Sequence, residues 1–210
     1  MKNRGSLVVI SGFAGVGKGS ILNEMMKRHE GYAYSVSATT RSPRPGETDG
    51  VNYFFISREK FEEMIEKGEL LEYASYVENY YGTPRFYVEK MMAEGRDVLL
   101  EIDIQGAMNI RKSMPEAILV FVLPPSAEVL EQRLTGRGTE TPELVKKRLA
   151  RAAEEAAGVG GYDYIIVNDT IEESAEKLHQ LIQAQRLRTG RNALFIEKIR
   201  EELESFKQPE

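Results

Sequence analysis

The stretch Gly12-Phe13-Ala14-Gly15-Val16-Gly17-Lys18-Gly19-Ser20 constrains this chain more than any other. It fits G-x-x-x-x-G-K, and its flanks are those the pattern requires. Leu7-Val8-Val9-Ile10 reads as a buried strand entering it, and Ile21-Leu22-Asn23-Glu24-Met25-Met26-Lys27-Arg28 as a helix leaving it. The glycines allow positive φ, so successive N–H groups can point inward at one anion. The helix N-terminus adds partial positive charge and Lys18 a full one. Such a cradle suits the β- and γ-phosphates of a nucleoside triphosphate.

One position departs from the general pattern. Where Ser or Thr usually follows the lysine and reaches magnesium, this chain has Gly19, and the hydroxyl comes at Ser20. The expectation is a Mg2+ held mainly by ATP phosphates and waters, since magnesium sheds its hydration shell reluctantly. Ser20 would then reach it through water. The G-K-G-[ST] form is similar to the loop of nucleoside monophosphate kinases.

Composition narrows the remaining classes. The 210 residues, 41% hydrophobic and 29% charged, suit one well-buried globular domain with a small insertion. A formal charge of −5 argues against nucleic acid as a partner, because neutralising a phosphate backbone needs a broad basic surface. A small phosphorylated ligand needs only a local group of arginines. Without cysteine there is neither a disulfide nor a thiolate metal site. Met1-Lys2-Asn3-Arg4 opens like a leader, but the apolar run stops at Ile10, and no segment has membrane-spanning length. A cytoplasmic protein without membrane contact is expected.

Along the chain, Tyr34–Ser37 reads as a second strand and 38–50 as a polar loop. Tyr53–Ile56 reads as a strand, Ser57 as the cap of a helix with Phe61, Met64 and Ile65 on one face. Leu70–Val77 reads as strand and Asn79–Pro84 as a turn. Val98–Asp103 is a strand ending in acids, followed by a helix over 106–112, a strand over 117–122 and a helix capped by Ser126. Thr141-Pro142-Glu143 starts a further helix, and Tyr164–Val167 is a strand before a helix from Ile171. Alternating strongly apolar strands and helices imply a three-layer α/β fold, its parallel sheet covered on both faces. Ligands should bind at the carboxyl ends of the strands. The core is expected over 1–36 and 98–188, with a lid around 133–151. A small mixed α/β insertion and return helix occupy 37–97, and a C-terminal helical extension 189–210. The apolar residues Phe195, Ile199, Leu203 and Phe206 are read as packing that extension on its own domain, a subunit contact being the second reading. His29 and His179 have no ligand set nearby in sequence.

The loop Ser37-Ala38-Thr39-Thr40-Arg41-Ser42-Pro43-Arg44-Pro45-Gly46-Glu47 is the second signal. Paired guanidiniums match phosphate oxygens bidentately, so Arg41 and Arg44 suit a phosphate monoester. Behind the cradle, S-x-T-T-R-x-x-R-x-G-E, the Tyr53 strand, L-L-E-Y, N-Y-Y-G-T, L-E-I-D-I-Q-G, G-R-G-T-E and I-V-N-D follow in order. Together they resemble the guanylate kinase family over about residues 5–185.

That resemblance implies ATP and GMP as the small-molecule partners. Arg41, Arg44, Tyr53 and Tyr81 would hold the GMP phosphate, with Glu47 orienting the arginines. Glu72 would accept from guanine N1–H and its exocyclic amine, while Ser37 and Thr83 would serve O6 or N7. Glu101 and Asp103, two apart on one strand, would share a face, with one or both contacting guanine or water on magnesium; the division of roles stays open, the preferred one being Asp103 for guanine and Glu101 for the metal's water shell. Arg133, Arg137 and Arg148 would stabilise the transferred phosphoryl group from the lid, and Asn168 would lie beside adenine. Arg151 reads as a surface charge. Lys18, Arg41, Arg137 and Arg148 form the catalytic set. Two other readings share this pattern: a kinase for another small phosphate ester, and a non-catalytic module that binds phosphopeptides.

Overall fold

The computed structural model describes residues 4–76, 78–136 and 141–207. Its central sheet is parallel, in the order β2-β7-β1-β8-β9. These strands are β1 (Leu7–Gly12), β2 (Tyr32–Tyr34), β7 (Asp97–Glu101), β8 (Ile118–Leu123) and β9 (Tyr164–Val167). Strand side chains alternate between faces, and both faces of β1 are covered. Val8 and Ile10 pack with Ile21, Leu22 and Met25 of α1 (Lys18–Arg28) and Leu178 and Ile182 of α7 (Ile171–Arg186). Leu7 and Val9 pack on the other side with Val88 and Met92 of α3 (Arg85–Ala93) and Ile110 of α4 (Ile104–Ser113). This is the expected sandwich of helix, sheet and helix.

A second, four-stranded sheet interrupts the core, in the order β4-β3-β6-β5. Its strands are β3 (Ala38–Thr39), β4 (Phe54–Phe55), β5 (Leu70–Tyr76) and β6 (Asn79–Pro84), with α2 (Arg58–Glu66) between β4 and β5. Phe61 of α2 is fully buried and stacks on Tyr80, at 5.1 Å between ring centroids. Ser57 caps α2 by accepting from the Lys60 N–H. Opposite Leu70–Tyr73, β6 spans only Pro84 to Gly82, so β5 carries one extra residue at Leu71–Glu72. A bulge of this kind re-aims a side chain.

Three expectations change. The expected strand Tyr34–Ser37 is split, since β2 ends at Tyr34 and the chain re-pairs only at β3 in the other sheet. Asn79–Pro84 is a paired strand that lies between β3 and β5, antiparallel to both, so its neighbours on either side hold it extended. The C-terminal helix α8 (Ala193–Glu204) is not packed on its domain and buries no residue. Leu194, Phe195 and Leu203 are all more than half exposed. Elsewhere the caps hold: Ser126 begins α5 (Ala127–Thr135) and Thr141 with Pro142 begins α6 (Pro142–Ala156). Among the described residues, no helix is long and apolar enough to cross a membrane.

Candidate active site

The glycine loop leaves β1 at Gly12 and enters α1 through Gly17, whose φ of +95° lies in the left-handed region. A Cβ there would stand 2.7 Å from Asn168 Nδ2, and one on Gly12 would stand 2.5 Å from the Val122 carbonyl oxygen. Neither position has room for a side chain. Phe13 and Val16 are buried, Phe13 edge-on to Phe121 at 5.2 Å, so these two side chains anchor the loop. Lys18 Nζ donates to the carbonyls of Gly12 at 2.8 Å and Phe13 at 3.2 Å, which places its charge across the loop. Ala14 and Ser20 are exposed, while Gly15 and Gly19 are half-buried.

Asn168, expected beside adenine, follows the end of β9. It is buried beneath the loop, where Nδ2 donates to the Val16 carbonyl at 2.7 Å and Oδ1 accepts from Ser174 Oγ at 3.1 Å. Both ends of its amide are engaged in holding the loop to α7. Arg133, at the end of α5, joins the same support by donating to the carbonyls of Val16 at 3.5 Å and Asp169 at 3.1 Å.

The ladder between β1 and β7 pairs Ile10 with Glu101, so the last residue of β7 stands beside the loop. Glu101 Oε2 accepts from the Tyr34 hydroxyl at 3.0 Å and lies 3.4 Å from where a Cβ on Gly19 would be. Burial, with the adjacent Glu101 charge second, pushes the Tyr34 phenol well up, so it remains a donor to that carboxylate. Asp103 does not share the strand face with Glu101, because β7 ends at Glu101. It is the cap of α4, with Oδ1 accepting from the Gly106 N–H at 2.9 Å. Its other oxygen is 3.9 Å from Arg151 Nη2. Arg151 is two-thirds exposed and bonded mainly to Glu155, as its reading as a surface charge anticipated.

On the second sheet, Arg41 is held on every side. Its guanidinium grips Glu47 through Nη1 to Oε2 at 2.9 Å and Nη2 to Oε1 at 2.8 Å, and Nη1 also donates to the Ser42 carbonyl. It lies 5.5 Å from the Tyr53 ring and 5.7 Å from Phe55. The arginine hydrogen bonds, followed by the Arg44 backbone N–H, lower the Glu47 carboxyl, so Glu47 stays ionised. Arg44 is exposed, its N–H donating to Glu47 Oε2 at 2.7 Å. Glu47, an acceptor only, thus organises the loop and is turned to Arg41. Tyr81 stands edge-on to Tyr53 with centroids 6.0 Å apart. Thr39 and Thr40 pin the loop to β6, through Thr39 Oγ1 to the Tyr80 carbonyl and the Tyr80 N–H to Thr40 Oγ1, both 3.0 Å.

Glu72 sits at the joint between the two sheets, on the bulge of β5. It is buried and accepts from the buried Thr83 hydroxyl at 2.6 Å. Burial, then the Asp103 charge, raises its carboxyl above the ordinary value. Thr83 has one proton and gives it to Glu72, so it orients the carboxylate; the expected donation from Thr83 to a base oxygen does not fit this arrangement. A Cβ on Gly106 would stand 3.2 Å from Glu72 Oε2, so the first turn of α4 presses closely on the carboxylate. Ser113 Oγ donates to the Leu71 carbonyl at 3.0 Å and fixes the same joint. Ser37 is half-buried before β3, and Arg148 half-buried on α6. Arg137 lies outside the described residues.

Sequence reasoning passed over Tyr34, Phe55, Gly106 and Ser174. L-E-I-D-I-Q-G did contain Gly106, and its spacing three residues after a capping Asp was a usable signal. The partners of Tyr34 and Ser174 depend on strand register and offered none.

A family profile described as guanylate kinase matches residues 4–185. A guanylate kinase of Clostridioides difficile (strain 630) is 50% identical over 95% of this chain and 98% of its own. One from Halalkalibacterium halodurans is 48% identical over 97% of this chain and 98% of its own. The crystal structure of guanylate kinase from Anaplasma phagocytophilum superposes with a TM-score of 0.69 at 34% identity, covering 90% of each chain.

Proposed function

The chain belongs to the guanylate kinase family, and from that premise we propose which of its residues carry the transfer of a phosphoryl group from ATP to GMP. The loop Gly12–Ser20 holds the donor phosphates, with Lys18 turning from its own loop carbonyls to the transferred group. Arg41 and Arg44 hold the acceptor phosphate with Tyr53 and Tyr81, and Glu47 keeps the Arg41 fork aimed. Glu72 reads the donor edge of guanine, Thr83 fixes its orientation, and Ser37 offers its hydroxyl to O6 or N7. Arg133 and Arg148 add positive charge above the donor. The acceptor phosphate oxygen is already a nucleophile, so no general base is required, and catalysis consists of positioning and charge stabilisation.

The donor set also fits a magnesium ion carried in by the nucleotide. Glu101 is a hard oxygen ligand held by Tyr34 beside the loop, and Ser20 supplies a hydroxyl. Among the described residues no three acidic or imidazole groups converge into a cage, so the phosphates and waters would complete the shell. When bound, the ion offsets charge on the phosphates.

The observation that carries the acceptor assignment is the buried Glu72–Thr83 pair at the joint of the sheets. A purely structural carboxylate gains little there, whereas a guanine edge supplies the missing donors. An adenine edge would leave Glu72 facing an acceptor, a mismatch that costs up to about 10⁴-fold in discrimination. ADP release measured with GMP, dGMP, AMP, UMP and dTMP tests the reading. GMP should dominate, and comparable turnover of AMP would refute the role of Glu72.

A further inference from the structure

Tyr34, the last residue of β2, pairs with Leu99 of β7. Paired residues of parallel strands face the same way, and Leu99 and Glu101 lie two apart on β7. All three therefore look toward α1, where Leu99 packs with Ile21, Leu22 and Met25. That common face sets the Tyr34 hydroxyl on Glu101 Oε2 at 3.0 Å. The same oxygen is 3.4 Å from where a Cβ on Gly19 would stand, the position at which the general phosphate-loop pattern carries its hydroxyl. The bond is not needed to join the strands. The ladder does that, and the Ser35 N–H donates to the Leu99 carbonyl at 2.8 Å. Tyr34 is braced from a second side as well, because Tyr87 of α3, the helix that leaves the second sheet, donates its hydroxyl to the Tyr34 carbonyl at 3.1 Å. Burial first, then Glu101, and last the Tyr53 phenol keep Tyr34 protonated, so it faces the carboxylate as a donor.

We propose that Tyr34 is a positioning residue for the metal-bound donor nucleotide: it holds Glu101 at the tilt in which the carboxylate accepts from water on the magnesium ion. This rests on the assignment of Glu101 to the metal's water shell. The terminal torsion of a glutamate is broad, with no sharp preference of its own. A hydroxyl fixed at both ends of its residue removes that freedom before the nucleotide arrives. The loop cannot do the same, because Gly19 has no side chain. Groups that orient a metal's ligands are worth about 10–100-fold in metal affinity, and contact through water puts Tyr34 at the lower end. Tyr87 and Tyr53 both reach Tyr34 from the part of the chain that carries the acceptor residues. The carboxylate on the donor side is thus set in part from the acceptor side.

Calorimetric titration of the full chain with ADP, with and without Mg2+, reads the gain in affinity that the metal supplies. Tyr34→Phe keeps the ring and removes only the hydroxyl. It should cut the gain about tenfold and leave the metal-free affinity for ADP unchanged, whereas a structural loss would weaken ADP in both titrations. Glu101→Gln should also cut the gain. Adding Tyr34→Phe to it should change nothing further, as expected when one residue acts through the other. Paramagnetic resonance of Mn2+ with ADP should rank the variants in the same order. If Glu101→Gln leaves the gain intact, the metal assignment fails and the proposal with it. If Glu101→Gln lowers the gain and Tyr34→Phe does not, the role of Tyr34 alone is overturned. An equal cost of Tyr34→Phe in the Glu101→Gln chain overturns it too.

Discussion

Gly106→Ala is the substitution that most sharply separates fold from function in this protein. Position 106 lies in the first turn of α4, where alanine normally improves a helix by up to ~1 kcal/mol. Here the added methyl would stand 3.1 Å from Ile102 Cδ1 and 3.2 Å from Glu72 Oε2. The Ile102 methyl is the end of a flexible chain and can give way. Glu72 is pinned at its other oxygen by Thr83 at 2.6 Å, so its carboxylate must tilt by a few tenths of an ångström. A hydrogen bond to a charged group is worth about 1.5–3 kcal/mol. Losing the lower end of that range corresponds to about a tenfold change. Steady-state kinetics should therefore give a KM for GMP raised about tenfold, with the KM for ATP unchanged, while Tm is equal or higher. An unchanged KM for GMP, or a loss confined to Tm, would refute the argument that Gly106 exists to make room for Glu72.

Lys18→Met should lower kcat by two or more orders of magnitude, as loss of a preorganised charge does, with an unchanged circular dichroism spectrum; wild-type turnover would remove Lys18 from the mechanism. Glu72→Gln should erode the preference for GMP over AMP and alter the pH dependence of stability. Because burial raises the folded carboxyl above its ordinary 4.5, the folded state holds a proton that the unfolded chain has released. The stability this contributes is present below 4.5 and is lost as pH rises through the folded value. The Gln variant should lack that fall, which urea titrations from pH 4 to 7 would read. Glu47→Ala should leave the Arg41 fork without its bidentate partner and raise the KM for GMP more than it lowers kcat; the opposite split would place Glu47 in the chemistry.

The parts of this protein legible in the sequence are those written in local physics. The cradle announced itself because glycine spacing, a lysine and apolar flanks lie within one short stretch, and Ser57, Ser126 and Thr141 announced helix starts for the same reason. The parts that were hidden depend on register. Glu101 and Asp103 were read as sharing a strand face, but β7 ends between them and Asp103 becomes a cap. Asn79–Pro84 carries turn residues yet pairs as a strand, because β3 and β5 hold it extended from either side. Asn168 was placed by resemblance, and only the folded chain reveals its amide under Val16. α8 was misread because periodicity reports that a face is apolar, not what lies against it.

The pairing of Ile10 with Glu101 reaches beyond the site. Nucleotide loop and acidic strand end are neighbours in one hydrogen-bonded ladder, so the reacting centre inherits the stiffness of the central sheet. Arg41 and its companions ride instead on a peripheral sheet, coupled to the core at the Glu72–Gly106 and Ser113–Leu71 contacts. On the proposed roles, what is phosphorylated and how it is phosphorylated would be encoded in two different sheets that meet at those contacts. Descent with modification could reshape the outer piece for a new acceptor while the inner one keeps running the same chemistry.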